Sequence, residues 1–292
     1  MKRNAYAKIN LGLDVTGVRP NGYHDVEMIM QTVDLYDVLE FEKLPDQKGV
    51  VELSVNVEGL GNIEDNLIYK SAKLMLVEGK LTDGVRIKLE KNIPVAAGMA
   101  GGSTDAAATF LGINDLFELG FSGKRLRELG VSLGADIPYC IMGGTALAKG
   151  IGEELEILPD VKGEVLLIAK PSINVSTKMV YEALDSKPIE KHPDIAGMVK
   201  AIKEGNEEGI LSRLGNVLEL VTCSLYPVID EIKAKMLDMG ARNSLMSGSG
   251  PTVFGIFANK EDAEKCKEAL QATLGLKEVY VTSFHAGNGR KD

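Results

Sequence analysis

The chain has no tryptophan, and only three cysteines and three histidines among its 292 residues. Cys140, Cys223 and Cys266 are odd in number and far apart, with no Cys-x-x-Cys pair. They read as reduced, buried thiols rather than a disulfide framework. Histidines as scattered as His24, His192 and His285 argue against a histidine-rich metal site. No apolar run is long enough to cross a bilayer. The basic start Met1-Lys2-Arg3-Asn4 is not followed by the apolar stretch of a secretory signal, because Lys8 and Asn10 interrupt it. The expectation is a cytoplasmic protein. Excess positive charge is also missing. The formal charge of -9 disfavours nucleic acid and membranes as partners. An anionic small molecule stays compatible, since backbone N–H groups and a few placed lysines make a local positive site.

What is present is an ordinary globular balance, 45% apolar and 26% charged. The length predicts two domains, 1–160 and 161–292, with the boundary in Leu158-Pro159-Asp160-Val161-Lys162-Gly163. Residues 5–15 alternate, with Ala5, Ala7, Ile9, Leu11, Leu13 and Val15 on one face, which predicts a strand. Further strands are predicted at Met28–Val33, Val38–Glu42, Val51–Val57 and Val85–Leu89, and helices at Glu64–Glu78, Ser103–Leu111 and Lys124–Leu133. The second half predicts a strand at Val165–Ala169 and a helix capped by Ser176 or Thr177. Helices follow over Asp194–Glu204, Glu207–Leu220 and Pro227–Met239. Strand Thr252–Ala258, helix Lys260–Leu274 and strand Glu278–Phe284 complete the pattern. The class is α+β, and the order of the second half points to a ferredoxin-like α/β sandwich.

Five constellations carry chemistry. The loop Pro94-Val95-Ala96-Ala97-Gly98-Met99-Ala100-Gly101-Gly102-Ser103-Thr104 follows a strand and opens a helix. Its glycines let backbone amides approach a polyanion, and the helix start adds partial positive charge. It is neither a P-loop nor a dinucleotide fingerprint, because the spacing and the lysine are wrong. The same residues also suit a tight strand–helix turn. Lys8 and Asn10 share a strand face, roughly 6–7 Å apart along it. They face a phosphate or substrate hydroxyl, or else form the solvated face of an edge strand. Asp136 in Gly134-Ala135-Asp136-Ile137-Pro138 is a base for a hydroxyl or a capping aspartate, with Ile137 biased towards extended backbone by Pro138. Tyr23-His24 after the Pro20-Asn21-Gly22 turn suits base stacking or plain loop packing. Met246-Ser247-Gly248-Ser249-Gly250-Pro251-Thr252 is a second anion cradle or a connection.

Taken together and in this order, the segments resemble the kinase superfamily named for galactokinase, homoserine kinase, mevalonate kinase and phosphomevalonate kinase. The most specific motif is Pro-x-x-x-Gly-x-x-Gly-Gly-Ser-x-x-Ala at 94–106. Ala7-Lys8-Ile9-Asn10-Leu11, Arg19 through His24, Glu64-Asp65-Asn66-Leu67, Gly134 through Pro138 and Ser247 through Thr252 carry a resemblance to one branch, which acts in non-mevalonate isoprenoid synthesis. That resemblance implies ATP and Mg²⁺ as cofactors and a small-molecule acceptor carrying a cytidine diphosphate group. It implies Lys8 and Asp136 as the catalytic pair, 94–104 with Asn66 as the ATP site, and Asn10, Tyr23, His24, Thr177, Tyr181, Gly248 and Ser249 at the acceptor. It implies a first domain like the second domain of ribosomal protein S5, with the active site in the cleft between the domains. It leaves the Mg²⁺ ligands open, and with them the choice of monomer or homodimer.

Overall fold

The computed structural model describes residues 1–57, 62–161 and 165–287. In chain order the elements are β1 (Lys2–Val18), β2 (His24–Leu44), β3 (Val51–Val55), α1 (Leu67–Glu78), β4 (Gly84–Glu90), α2 (Gly101–Leu116), α3 (Gly123–Gly130), α4 (Ile137–Met142), β5 (Thr145–Lys149) and β6 (Glu154–Ile157). They continue with β7 (Val165–Lys170), α5 (Thr177–Leu184), α6 (Ile195–Glu204), α7 (Glu207–Leu211), β8 (Gly215–Asn216), α8 (Glu219–Leu225), α9 (Val228–Asp238), β9 (Asn243–Met246), β10 (Val253–Phe257), α10 (Lys260–Leu274) and β11 (Glu278–Ser283). The fold is α+β, with two mixed layers of sheet and helix. Among the described residues no helix is long and apolar enough to cross a membrane.

The first sheet runs β3-β4-β2-β1-β8, with β5 pairing to β2 and β6 to β5. The two strands expected at Met28–Val33 and Val38–Glu42 are one strand of 21 residues. Its first half pairs with β5 and its second half with β4, so one strand serves two neighbours on the same side. The residues predicted to share one face of β1, Ala5 to Val15, are all buried, but the register irregularity between Asn10 and Gly12 turns Leu13 and Val15 onto the face opposite Ile9. Lys8 and Asn10 on the other face are buried too, so β1 is no edge strand with a solvated face. Helix α6 lies against Gly12, where a Cβ would meet Ile195 Cδ1 at 2.7 Å, on the face of Ile29 and opposite that of Asn10 and Met30. Irregularities in the β1–β2 register fall between Tyr6 and Lys8 and between Asn10 and Gly12. Such interruptions re-aim side chains and free backbone groups from the ladder.

The second sheet is antiparallel throughout, in the order β11-β7-β10-β9. Strand β9 was not expected from the sequence. Two of the three apolar clusters draw residues from both sides of residue 160, joining Leu13 and Met30 with Leu167 and Phe257, and Ile9 and Met99 with Ile168 and Phe254. The third lies within the first half, where Phe41, Ile87, Ile68, Met75 and Phe110 pack α1 and α2 on the sheet. Lys162 and Gly163 of the expected boundary lie outside the described residues.

Several boundaries move for local reasons. The helix expected from Glu64 begins at Leu67, because the Asn66 side chain accepts from Ile68 N–H and caps it. The helix expected over Lys124–Leu133 is shorter, starting after the Ser122 cap and ending at Gly130. The helix expected over Glu207–Leu220 is broken into α7, β8 and α8. Asn216 leaves helical pairing there, and its amide donates to the carbonyls of Met246 and Gly248, both at 2.8 Å.

Candidate active site

Three separate stretches of chain meet at Gly98. A Cβ there would lie 2.6 Å from the Ser247 carbonyl oxygen and 2.9 Å from that of Gly250, so the glycine-rich loop packs directly on the Ser–Gly loop. The Ser247 hydroxyl donates to the Gly98 carbonyl at 3.1 Å. The third stretch is β1. Where its ladder with β2 is interrupted, the Lys8 N–H bonds the Met99 carbonyl at 3.2 Å. Asn10 belongs to the same corner, its Oδ1 3.7 Å from where a Gly248 Cβ would stand. The Lys8 ammonium donates to Asn10 Oδ1 at 2.8 Å, so the two residues share a face as their spacing predicts.

The loop 94–100 has no regular structure, and Ala96, Gly98 and Ala100 all take positive φ. For alanine this conformation costs about 1–2 kcal/mol per residue, a strain that persists only where the surroundings hold it. Ala100 is the residue before α2, and no side chain caps that helix. Its first amides therefore lack the side-chain acceptor that most helix starts supply, and are available to an anion. Pro94, Val95, Ala97, Met99, Gly101, Gly102 and Ser103 lie along this same backbone, Val95 exposed and Ser103 half-buried at the helix start. Thr104 differs from Ser103. Its hydroxyl donates to the Tyr6 carbonyl at 2.5 Å, tying α2 to β1. Asn66 is brought alongside by Leu67, whose Cδ1 is 3.7 Å from the position of a Gly102 Cβ.

Asp136 immediately precedes α4 in right-handed helical conformation. The extended backbone expected at Ile137 is not found. Pro138 sits in the first turn of α4, where its missing N–H costs nothing and its fixed φ suits a helix. The Asp136 side chain is half-buried and makes no cap. Its charge is felt by two neighbours. Burial pushes the Cys140 thiol up to about 12, Asp136 adds to the rise, and Thr104 and Lys8 oppose it. Burial likewise raises the Tyr181 phenol above its ordinary value, again with Asp136 adding to it. The charges of Lys8 and Asp136 thus both reach one thiol, and that of Asp136 also reaches the tyrosine.

Around Tyr181 a second cluster forms. The His24 ring lies 4.9 Å from the Tyr181 ring, tilted by 48°. His24 Nε2 is 2.7 Å from Asp185 Oδ1, a carboxylate one helical turn beyond Tyr181. The Thr177 and Ser249 hydroxyls are 2.8 Å apart and join α5 to the Ser–Gly loop. Tyr23 is 57% exposed at the rim and has no ring partner among the described residues. Asp185 and Asn216 were not expected at the site. The first is findable only as the i+4 neighbour of Tyr181, and the second has no local signal. Among the described residues no group of three or more His, Cys, Asp or Glu could hold a metal ion.

Comparison with known proteins follows the same lines. The model of the GHMP kinases N terminal domain matches residues 66–144 and that of the GHMP kinases C terminal domain matches 198–275. The chain is 52% identical to 4-diphosphocytidyl-2-C-methyl-D-erythritol kinase of Lachnospira eligens, over 97% of each chain. It is 48% identical to the protein of that name from Caldicellulosiruptor bescii, over 99% of this chain and 100% of the other. A crystal structure of 4-(cytidine 5'-diphospho)-2C-methyl-D-erythritol kinase superimposes with a TM-score of 0.82 at 32% identity, covering 99% of this chain and all of the other. A homoserine kinase from Cytophaga hutchinsonii shares the fold at a TM-score of 0.74 and 20% identity, covering 97% of this chain and 95% of that one.

Proposed function

From the premise that the chain belongs to the GHMP kinase family, we propose that it transfers the γ-phosphoryl group of ATP to the 2-hydroxyl of 4-diphosphocytidyl-2-C-methyl-D-erythritol, in non-mevalonate isoprenoid precursor synthesis. The products are the 2-phosphate and ADP. The observation that carries this reading is the meeting of Lys8, the glycine-rich loop and the Ser–Gly loop at Gly98.

In this reading the backbone amides of 94–104 hold the ATP phosphates, and Asn66 borders the adenine. Asp136 accepts the proton of the attacking hydroxyl. Lys8 offsets charge on the transferring group, while Asn10 orients the acceptor. The chemistry is positioning plus electrostatics, as in other phosphoryl transfers. Mg²⁺ would be held mainly by the ATP phosphate oxygens rather than by a protein cage, since the loop offers N–H groups, which cannot coordinate a cation, and the Ser103 hydroxyl oxygen, which can. When bound, it neutralises charge on the phosphate oxygens.

The acceptor's cytosine is read as sitting against Tyr23, His24 and Tyr181, with Thr177, Gly248 and Ser249 along the rest of the molecule. The His24–Tyr181 pair favours this acceptor over homoserine or mevalonate, which have no base to stack. The family's two-domain division is read at 1–160 and 161–292. The antiparallel order β11-β7-β10-β9 supports a ferredoxin-like second domain beside a first domain like the second domain of ribosomal protein S5. A cytoplasmic location goes with this function. With Mg-ATP, ADP is expected to appear only when the cytidine-linked acceptor is added. Release on adding mevalonate or homoserine instead overturns the acceptor assignment.

A further inference from the structure

Beneath the glycine-rich loop, its two ends are joined by a buried bridge of three charged side chains. Lys91, just past β4, donates its ammonium to Asp37 Oδ2 on β2 and, at 2.9 Å, to Asp105 Oδ2 on the second turn of α2. Asp37 Oδ1 accepts the backbone N–H groups of Asn92 at 2.5 Å and Ile93 at 2.7 Å, the residues leading into the loop. The Lys91 and Asp105 side chains are 6% and 4% exposed, and that of Asp37 is fully buried. The ammonium lies 3.1 Å from where a Gly101 Cβ would stand, directly under the start of α2.

Stability alone does not account for this arrangement. Buried ion pairs are commonly matched or bettered by well-packed apolar residues of similar volume. What charge-assisted hydrogen bonds give that apolar packing does not is a short, directional link. Here the link runs from the segment before the loop, through Lys91, to the helix after it.

We propose that Asp37, Lys91 and Asp105 act as a positioning clasp that fixes the spacing between the two ends of the glycine-rich loop, and with it the placement of the amides that bind the ATP phosphates. The proposal rests on the reading of 94–104 as the phosphate site. The roles within the clasp are unequal. Asp37 uses both oxygens. Asp105 uses one, and its buried Oδ1 has no hydrogen-bond partner. Burial holds the Asp105 carboxyl well above the usual range, with Lys91 working against the rise. Burial opposes the charge on Lys91, yet Asp105 and Asp37 together hold it above its ordinary value. Lys91 reaches α2 through the single acceptor oxygen that Asp105 offers it.

The test is titration calorimetry of ATP and, separately, of CDP, on the whole chain. Asp105→Leu keeps the Lys91–Asp37 pair but removes the link to α2, and is expected to weaken ATP binding about tenfold while CDP binding stays within about twofold. Asp105→Asn restores an acceptor oxygen and is expected to bind ATP within about threefold of the unaltered protein. Should Asp105→Leu not fold, Lys91→Arg keeps the charges but crowds Gly101, and the same loss is expected. Unchanged ATP binding in the folded Leu or Arg variant overturns the clasp, as does an Asn variant as weak as the Leu variant. If the unaltered protein binds no ATP, the phosphate-site reading falls, and the clasp with it.

Discussion

At the proposed phosphate end, the ligand-facing groups are backbone amides of one continuous stretch, 94–104, pinned from below by Lys91 and from the side by Ser247. At the proposed base end they are the side chains of Tyr23, His24 and Tyr181, from distant parts of the chain and partly exposed. The difference teaches how each end tolerates change. A backbone cradle depends on φ and on close approach, so adding a single carbon is damaging. A side-chain stack depends on ring area, so it loses affinity in proportion to what is removed. Between the two stands Asp136, whose charge reaches both Cys140, which also feels Lys8, and Tyr181.

The largest effect is expected where the two ends meet. Asp136→Asn should lower kcat by about 10²–10⁴-fold and leave ATP affinity within about twofold, as steady-state kinetics paired with ATP titration will read. A smaller loss confined to KM would assign Asp136 to binding. Gly98→Ala comes next. Its new carbon has no room against the Ser247 and Gly250 carbonyls, and its φ of +69° disfavours any side chain. KM for ATP should rise at least about thirtyfold, with a lowered melting temperature from strain of about 1–3 kcal/mol. Tyr181→Ala should have the smallest effect. KM for the acceptor should rise about tenfold with KM for ATP unchanged, since stacking on one ring is worth about 1–3 kcal/mol per base. If Tyr181→Ala raised KM for ATP instead, the two ends would not be separate sites.

The same contrast explains what was legible in the sequence. The glycine-rich loop lies in one segment with a helix directly after it, so 94–104 stood out as a candidate anion cradle from its own residues, beside the reading as a tight strand–helix turn. Lys8 and Asn10 were legible as a shared face, but their burial was not, because the Ser–Gly loop that lies against Asn10 comes from the other half of the chain. The hairpin of β5 and β6 escaped notice because Thr145 to Ala148 is buried on both faces and shows no alternation. Strand β8 was hidden inside an apparently helical stretch, since the bonds that break it run from Asn216 to residues about thirty positions away. Local bias misled at Ile137, where the first turn of α4 accommodates Pro138. Asp185, Lys91 and Asp37 carry ordinary surface-type residue names. Only the fold turns them into the partner of His24 and the buried links under the loop.

In the proposed function one site joins the loop, Lys8 and Asp136 to move a phosphoryl group onto a hydroxyl at the far end of a cytidine diphosphate. Phosphorus NMR of a reaction with Mg-ATP and 4-diphosphocytidyl-2-C-methyl-D-erythritol tests it most directly. A new phosphomonoester coupled to the carbon at position 2, ADP in equal amount and an unaltered cytidine diphosphate signal are expected. Inorganic phosphate in place of the ester, or cleavage of the diphosphate, would contradict it.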